Sequence, residues 1–174
     1  ETGLKDFSSY IAVMLNKISV LIIVFLFSSV SAHSAGGEQS DGGNEGKVSK
    51  YDKGHKLVLS GKHWEKKADK FLKKGNTTKA EKNLAKAEKK YQKAFKLFLE
   101  SNKEKPKNAD TLNYLGFTSR KLGNFIEAEK YFEKLISVKK TYQLYYIFGN
   151  IQKKLKKFEN SISSFENAIK LNPN

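Results

Sequence analysis

The segment Leu115–Phe132, LGFTSRKLGNFIEAEKYF, decides how the chain is read. Its apolar residues keep helical spacing, yet glycine stands at 116 and 123. A glycine inside a helix is about 1 kcal/mol less favourable than alanine, so each should do something a larger residue cannot. Gly123 lies between Leu122 and Asn124, where a first helix has to stop. A glycine there adopts the left-handed conformation that closes a helix. Gly116 lies beside the face formed by Leu112, Leu115 and Ser119. Without a side chain at that point, a partner helix can come close. The segment therefore reads as parts of two short antiparallel helices and the tight turn between them.

The pattern recurs. Leu112, Leu115, Gly116, Phe125, Ala128, Phe132 and Leu135 have counterparts 33 residues later in Tyr145, Phe148, Gly149, Phe158, Ser161, Phe165 and Ala168. An upstream copy lies at an offset of 48, where Trp64, Ala68, Gly75, Ala80, Leu84 and Ala87 precede Leu112, Gly116, Gly123, Ala128, Phe132 and Leu135. The excess over a period of ~34 is about 14 residues, or about four helical turns. The spacing predicts helices over 48–60, 63–74, 78–102, 109–122, 125–138, 142–155 and 158–171. The third absorbs the excess, because Ala80, Leu84, Ala87, Tyr91, Ala94 and Phe98 recur at three and four without interruption. It ends in SNKEKPKN, which contains Pro106. Phe95, Phe98 and Leu99 are expected to pack on Tyr51, Leu57, Val58 and Leu59 of the 48–60 helix, which caps the array. Phe158, Ile162, Phe165 and Ile169 give the last helix a strong apolar stripe. Part of it is expected to stay open, so either the protein continues beyond Asn174 or this face pairs with another chain.

These residues resemble the tetratricopeptide repeat, whose signature is W-x2-L-G-x2-Y…A-x3-F…P over ~34 residues. The upstream copy supplies Trp64 and Ala80-x3-Leu84, with Lys67-Ala68 where Leu-Gly is usual. The middle copy supplies Leu115-Gly116 and Ala128-x3-Phe132, with Ser119 in the tyrosine slot. The last supplies Phe148-Gly149, Phe165 and Pro173, with Ser161 in the alanine slot. The resemblance implies an all-α, right-handed superhelical solenoid of antiparallel helix pairs, with about three repeats and an N-terminal helix. The expected boundaries are 48–60 for that capping helix, 61–108 for a first repeat with an elongated second helix, and 109–141 and 142–174 for the others. It also implies that the first helix of each pair lines a concave, partner-binding groove. Its exposed positions would be Asn113, Phe117, Arg120 and Lys121 in the middle repeat, and Tyr146, Asn150, Lys153 and Lys154 in the last.

The N-terminal third reads differently. Residues 14–35, MLNKISVLIIVFLFSSVSAHSA, place a lysine, an apolar run over 18–27 and then small residues in the order of a secretory signal peptide. Cleavage is expected after Ala32, which makes the protein periplasmic or secreted. The alternative is an uncleaved membrane anchor. Residues 1–13 precede the first methionine, Met14, and read as an upstream extension or a fragment edge. Residues 33–47 contain five glycines and only one apolar residue, an alanine. They cannot bury enough surface to offset their ordering entropy and read as a flexible linker. The sequence is thus expected to be a fragment of an exported bacterial protein.

Composition narrows the chemistry. The absence of cysteine excludes disulfides, thiolate metal sites and a cysteine nucleophile. The histidines, His33, His55 and His63, form no metal-binding motif, and no glycine-rich phosphate loop links a strand to a helix. No catalytic set, cofactor site or metal site is expected, so the chain is not read as an enzyme. The net charge is +15, and residues 61–105 hold fifteen lysines against six acids. Two binding readings follow. The first is a scaffold that takes a partner protein or extended peptide in its groove. Arg and Lys there would meet an acidic side chain or C-terminal carboxylate, and Asn would meet peptide backbone. The alternative is an electrostatic binder of an anionic polymer or membrane surface. Export argues against nucleic acid. Self-association through the open last repeat is a further expectation, and no small-molecule substrate is expected.

Overall fold

A computed structural model describes residues 48–172. The signal-peptide reading (1–32), the linker (33–47) and Pro173 lie outside the described residues. The described residues form six helices: α1 Lys50–Leu72, α2 Thr77–Glu104, α3 Ala109–Lys121, α4 Phe125–Val138, α5 Tyr142–Lys154 and α6 Phe158–Leu171. They pack as three consecutive antiparallel pairs in an all-α solenoid, with no strand among the described residues.

Local chemistry sets the helix ends. Ser49, Asn76, Asn108 and Thr141 cap α1, α2, α3 and α5, each accepting a bond from a backbone N–H three residues on. Within each pair the turn has one form. The N–H groups of Asn76, Asn124 and Lys157 each donate to a carbonyl five residues back, at 2.9 Å. The residue before each is left-handed: Gly75 at φ +71°, Gly123 at +78° and Lys156 at +61°. Two of the three turns use glycine for this conformation, and the third forces it on a lysine.

Two expectations need correction. The 48–60 and 63–74 segments are not separate helices but one, α1, running through Ser60-Gly61-Lys62. Gly61 does not stop the helix. It sits against Tyr91 of α2, where a Cβ would fall 2.5 Å from the ring. Continuation through Gly61 also turns Leu59 outward, and it is exposed rather than packed on Phe98.

The second correction concerns register. A Cβ on Gly116 would meet the Phe132 ring at 2.7 Å, and one on Gly149 would meet Phe165 at 2.8 Å. In the first pair the same small-against-aromatic contact occurs twice, at Gly54–Phe98 (2.9 Å) and Gly61–Tyr91. Seven residues forward on α1 correspond to seven back on α2, so the next rung brings Ala68 level with Leu84. Buried Ala80, Ala87 and Ala94 occupy the intervening heptad positions of α2. The first pair is thus an antiparallel coiled coil with small residues facing large ones. The rung that joins the second pair is the far one. Phe98 stacks on Tyr114 of α3, centroids 5.0 Å apart and planes 8° from parallel. Gly54 and Phe98, not Ala68 and Leu84, therefore stand where Gly116 and Phe132 stand one pair later. Ala94-x3-Phe98 and Pro106 then match Ala128-x3-Phe132 and Pro173 of the later repeats. Gly54 and Phe98 are 44 residues apart, against 16 for Gly116 and Phe132. The difference of 28 residues is two heptads in each helix. The excess in the first repeat is therefore an arm that lengthens both helices.

The third pair has a more polar interior. Ser161, in the alanine slot, donates to the Gly149 carbonyl at 2.8 Å, and Ser164 donates to Gln152 Oε1 at 2.7 Å. On the far side of α6, Phe158, Ile162 and Ile169 are exposed.

Candidate functional site

The groove residues named from the sequence divide into two groups. Those on α3 lie against the coiled coil. Tyr114, Phe117 and Lys121 recur at three and four, so one face of α3 settles into the valley between α1 and α2. Tyr114 stacks on Phe98 and lies 5.8 Å from the Tyr51 ring. Phe117 meets the edge of Tyr91 at 5.9 Å. Lys121 Nζ lies 2.8 Å from both carboxylate oxygens of Glu65 on α1. Phe117, Arg120 and Lys121, expected to be exposed, are in fact half-buried. The reason is the extended α1, which supplies a wall that three ordinary repeats would lack. Asn113 remains exposed.

This wall creates a charged cluster. Lys62 Nζ, Arg120 Cζ and Lys121 Nζ lie 5.1, 5.8 and 5.7 Å from the Phe117 ring centroid. Glu65 is the one carboxylate among them. Burial lowers the Arg120 pKa, and Glu65 works in the opposite direction. Burial also lowers that of Lys62, and the Lys121 charge lowers it further. Arg120 Nε is buried and has no hydrogen-bond partner among the described residues. The Tyr91 hydroxyl is buried beside Glu65, and burial, aided by that carboxylate, raises its pKa far above the ordinary phenol range. Three cations thus share one acid, with donors left over, which suits an additional anionic group.

The α5 residues form the open group. Tyr146 is exposed and leans on Phe165, with ring centroids 5.7 Å apart. Asn150 spends one amide hydrogen on the Tyr146 carbonyl at 2.8 Å. Its side-chain carbonyl and second N–H make no hydrogen bond among the described residues. Lys153 and Lys154 are exposed and make no ion pair among the described residues.

Sequence reasoning missed Lys62 and Glu65 because the offset of 48 assigned them to a repeat of their own. A signal was present: Tyr51, Val58, Glu65 and Leu72 form one heptad series, and an acid in that series is out of place. Trp64, which the upstream copy supplies to the repeat signature, is half-buried, with the Lys86 and Lys67 ammonium groups 4.4 and 4.7 Å from its centroid. Among the described residues no three acidic, histidine or cysteine side chains are grouped to hold a metal ion. No helix there is long and apolar enough to cross a membrane.

Comparison with known families gives two matches, both to the tetratricopeptide repeat, over residues 68–141 and 142–174. Together they span more than half of the chain. A solved structure named "MamA AMB-1" matches with 19% identity and a TM-score of 0.46, covering 67% of this chain and 75% of that one. No curated protein matches.

Proposed function

The chain belongs to the tetratricopeptide-repeat family, and from that premise we propose that it is an exported scaffold whose α3–α5 groove holds an acidic segment of a partner protein. Protein–protein interaction is the general role of such repeats, and the chain is a scaffold of that kind. The observation that favours an acidic ligand is the surplus of charge around Glu65. Lys62, Arg120 and Lys121 are gathered about a single carboxylate, and Lys153 and Lys154 stand unpaired on the next first helix. A carboxylate entering beside Phe117 gains charge-assisted bonds from exposed Lys62 and from the partly desolvated Arg120 and Lys121. Tyr146 offers it an aromatic neighbour, and Asn113 and Asn150 offer backbone hydrogen bonds. Export rests on the signal-like segment. N-terminal sequencing of the secreted protein should begin at His33, and an unprocessed chain retained in the cytoplasm would remove that part.

The groove is tested with a fluorescein-labelled octapeptide of aspartate and glutamate carrying a free C-terminus, measured by anisotropy on the whole chain. Alanine at Asn150, Lys153 and Lys154 together should weaken binding about tenfold or more, the scale of losing one or two charge-assisted contacts. Alanine at Lys139 and Lys140, outside the groove, should leave it unchanged. Equal affinities across these variants would sink the assignment.

A further inference from the structure

A second surface lies on the arm, apart from the groove. The ladder turns Leu84, Tyr91 and Phe98, with Ala80, Ala87 and Ala94, toward α1. The opposite, outermost face of α2 then carries Lys82, Lys86, Lys89, Lys93 and Lys96, at steps of four and three. All five are exposed, and none is in an ion pair among the described residues. No acid interrupts the row, which is about 21 Å long at 1.5 Å per residue. Lys86 leans on Trp64, and the others carry no such contact.

We propose that this row docks the arm on an anionic lipid bilayer. Three features select that partner. The row is straight, because a coiled-coil helix is nearly straight over about four turns, so a flat surface meets four of the charges at once, with Lys86 drawn aside toward Trp64. A nucleic-acid duplex winds away from such a line and meets only part of it. The row also contains only ammonium groups. It has no arginine fork and no aromatic platform, the groups that hold nucleic acids by bidentate bonds and base stacking. Of the two amides within its span, Gln92 is bonded to Glu88, and Asn83 is buried and donates to the Lys79 carbonyl. Finally, the row carries no large apolar side chain, so the arm adsorbs by charge and does not insert. On the export reading proposed above, the apolar run at 18–27 takes the chain to or across a membrane. Each lysine held near an anionic bilayer raises affinity about fivefold, so four suffice for reversible docking.

The test is co-sedimentation of the whole chain with vesicles of phosphatidylcholine alone or mixed with phosphatidylglycerol. The unaltered chain should bind the mixed vesicles at least about several hundredfold more tightly than the neutral ones. It should lose that difference at 1 M salt, where the Debye length is about 3 Å. K82Q/K86Q/K89Q/K93Q should lose about a hundredfold or more of the phosphatidylglycerol-dependent affinity. K130Q/K134Q/K139Q/K140Q removes the same charge from elsewhere and should stay within a few-fold of the parent. Glutamine is as good a helix former as lysine, and far-ultraviolet circular dichroism checks the fold. Equal binding to both vesicle types, or equal loss in both variants, overturns the proposal. So does tighter binding to double-stranded DNA at the same phosphate concentration. The composition and salt arms use the unaltered chain, so they decide even if a substitution disturbs folding.

Discussion

Phe98 and Tyr114 stack nearly parallel, 5.0 Å between centroids, and this contact fixes which part of the first helix pair counts as a repeat. Everything from Gly61 to the turn and back to Tyr91 lies on the arm side of that joint. Arm and solenoid share one helix pair, so strain at any rung is felt at the repeat interface.

Gly61→Ala should therefore destabilise the fold even though alanine is the better helix former. The new Cβ would stand 2.5 Å from the Tyr91 ring, which is itself only 2% exposed and cannot swing away. The overpacking cost is about 1–3 kcal/mol, against a propensity gain of about 1. Urea denaturation should show a lower midpoint with an unchanged slope. A midpoint at or above the parent would mean that the two helices separate freely.

The repeat at 109–174 is legible from residues alone, because Gly116 and Gly149 recur with their aromatic partners at one offset. The first pair is not, for a physical reason. Its heptad ladder offers the same small-and-large motif at Gly54, Gly61 and Ala68, and sequence spacing cannot say which rung the next helix will meet. The family match shares this ambiguity, since it starts at Ala68. The choice is made by stacking between Phe98 and Tyr114, a contact across elements. The half-burial of Phe117, Arg120 and Lys121 follows from the same choice, so it too was out of reach.

Lys121→Ala should cost more stability than Glu65→Leu. Both side chains are about four-fifths buried, at 22% and 18% exposure. Removing the lysine takes from Glu65 its one hydrogen-bonded ion partner inside the coiled-coil seam, with Arg120 and Lys62 left beside it, and costs about 1–3 kcal/mol. Replacing the acid by leucine puts an apolar residue at an inward heptad position, and Lys121 can turn outward to water. The ranking is checked by thermal denaturation of both variants and the double mutant. A larger loss for Glu65→Leu would show that the pair, and not the seam, sets the energetics.

Alkali should weaken the fold through its buried phenols. Burial, aided by the charge of Asp110, pushes the Tyr51 pKa up to about 12 from the ordinary 10.0. The folded state holds this proton more tightly than the unfolded state. The resulting stability is fully present below pH 10 and is lost as pH rises from there toward about 12. Lysines discharge over the same range and relieve repulsion, so the informative comparison is with Tyr51→Phe. The parent's denaturation midpoint should fall more steeply than the variant's between pH 10 and 12. In phenolate absorbance, the variant should lack one group titrating near 12. Parallel stability curves would place Tyr51 in solvent.

The three turns make opposite predictions from one geometry. Lys156 holds φ at +61°, where Gly75 and Gly123 hold +71° and +78°. A left-handed conformation costs a residue with a Cβ about 1–2 kcal/mol that glycine does not incur. Part of this is offset, because glycine loses more backbone freedom on folding. Lys156→Gly should therefore stabilise the protein by up to about 1 kcal/mol. Gly123→Ala should destabilise it by about 1 kcal/mol or slightly more. A Cβ on Gly123 would have nothing within 4 Å, so its penalty comes from the backbone alone. Denaturant midpoints should therefore move in opposite directions with unchanged slopes. A fall for Lys156→Gly would mean that the last pair is held by the lysine side chain and not by the turn.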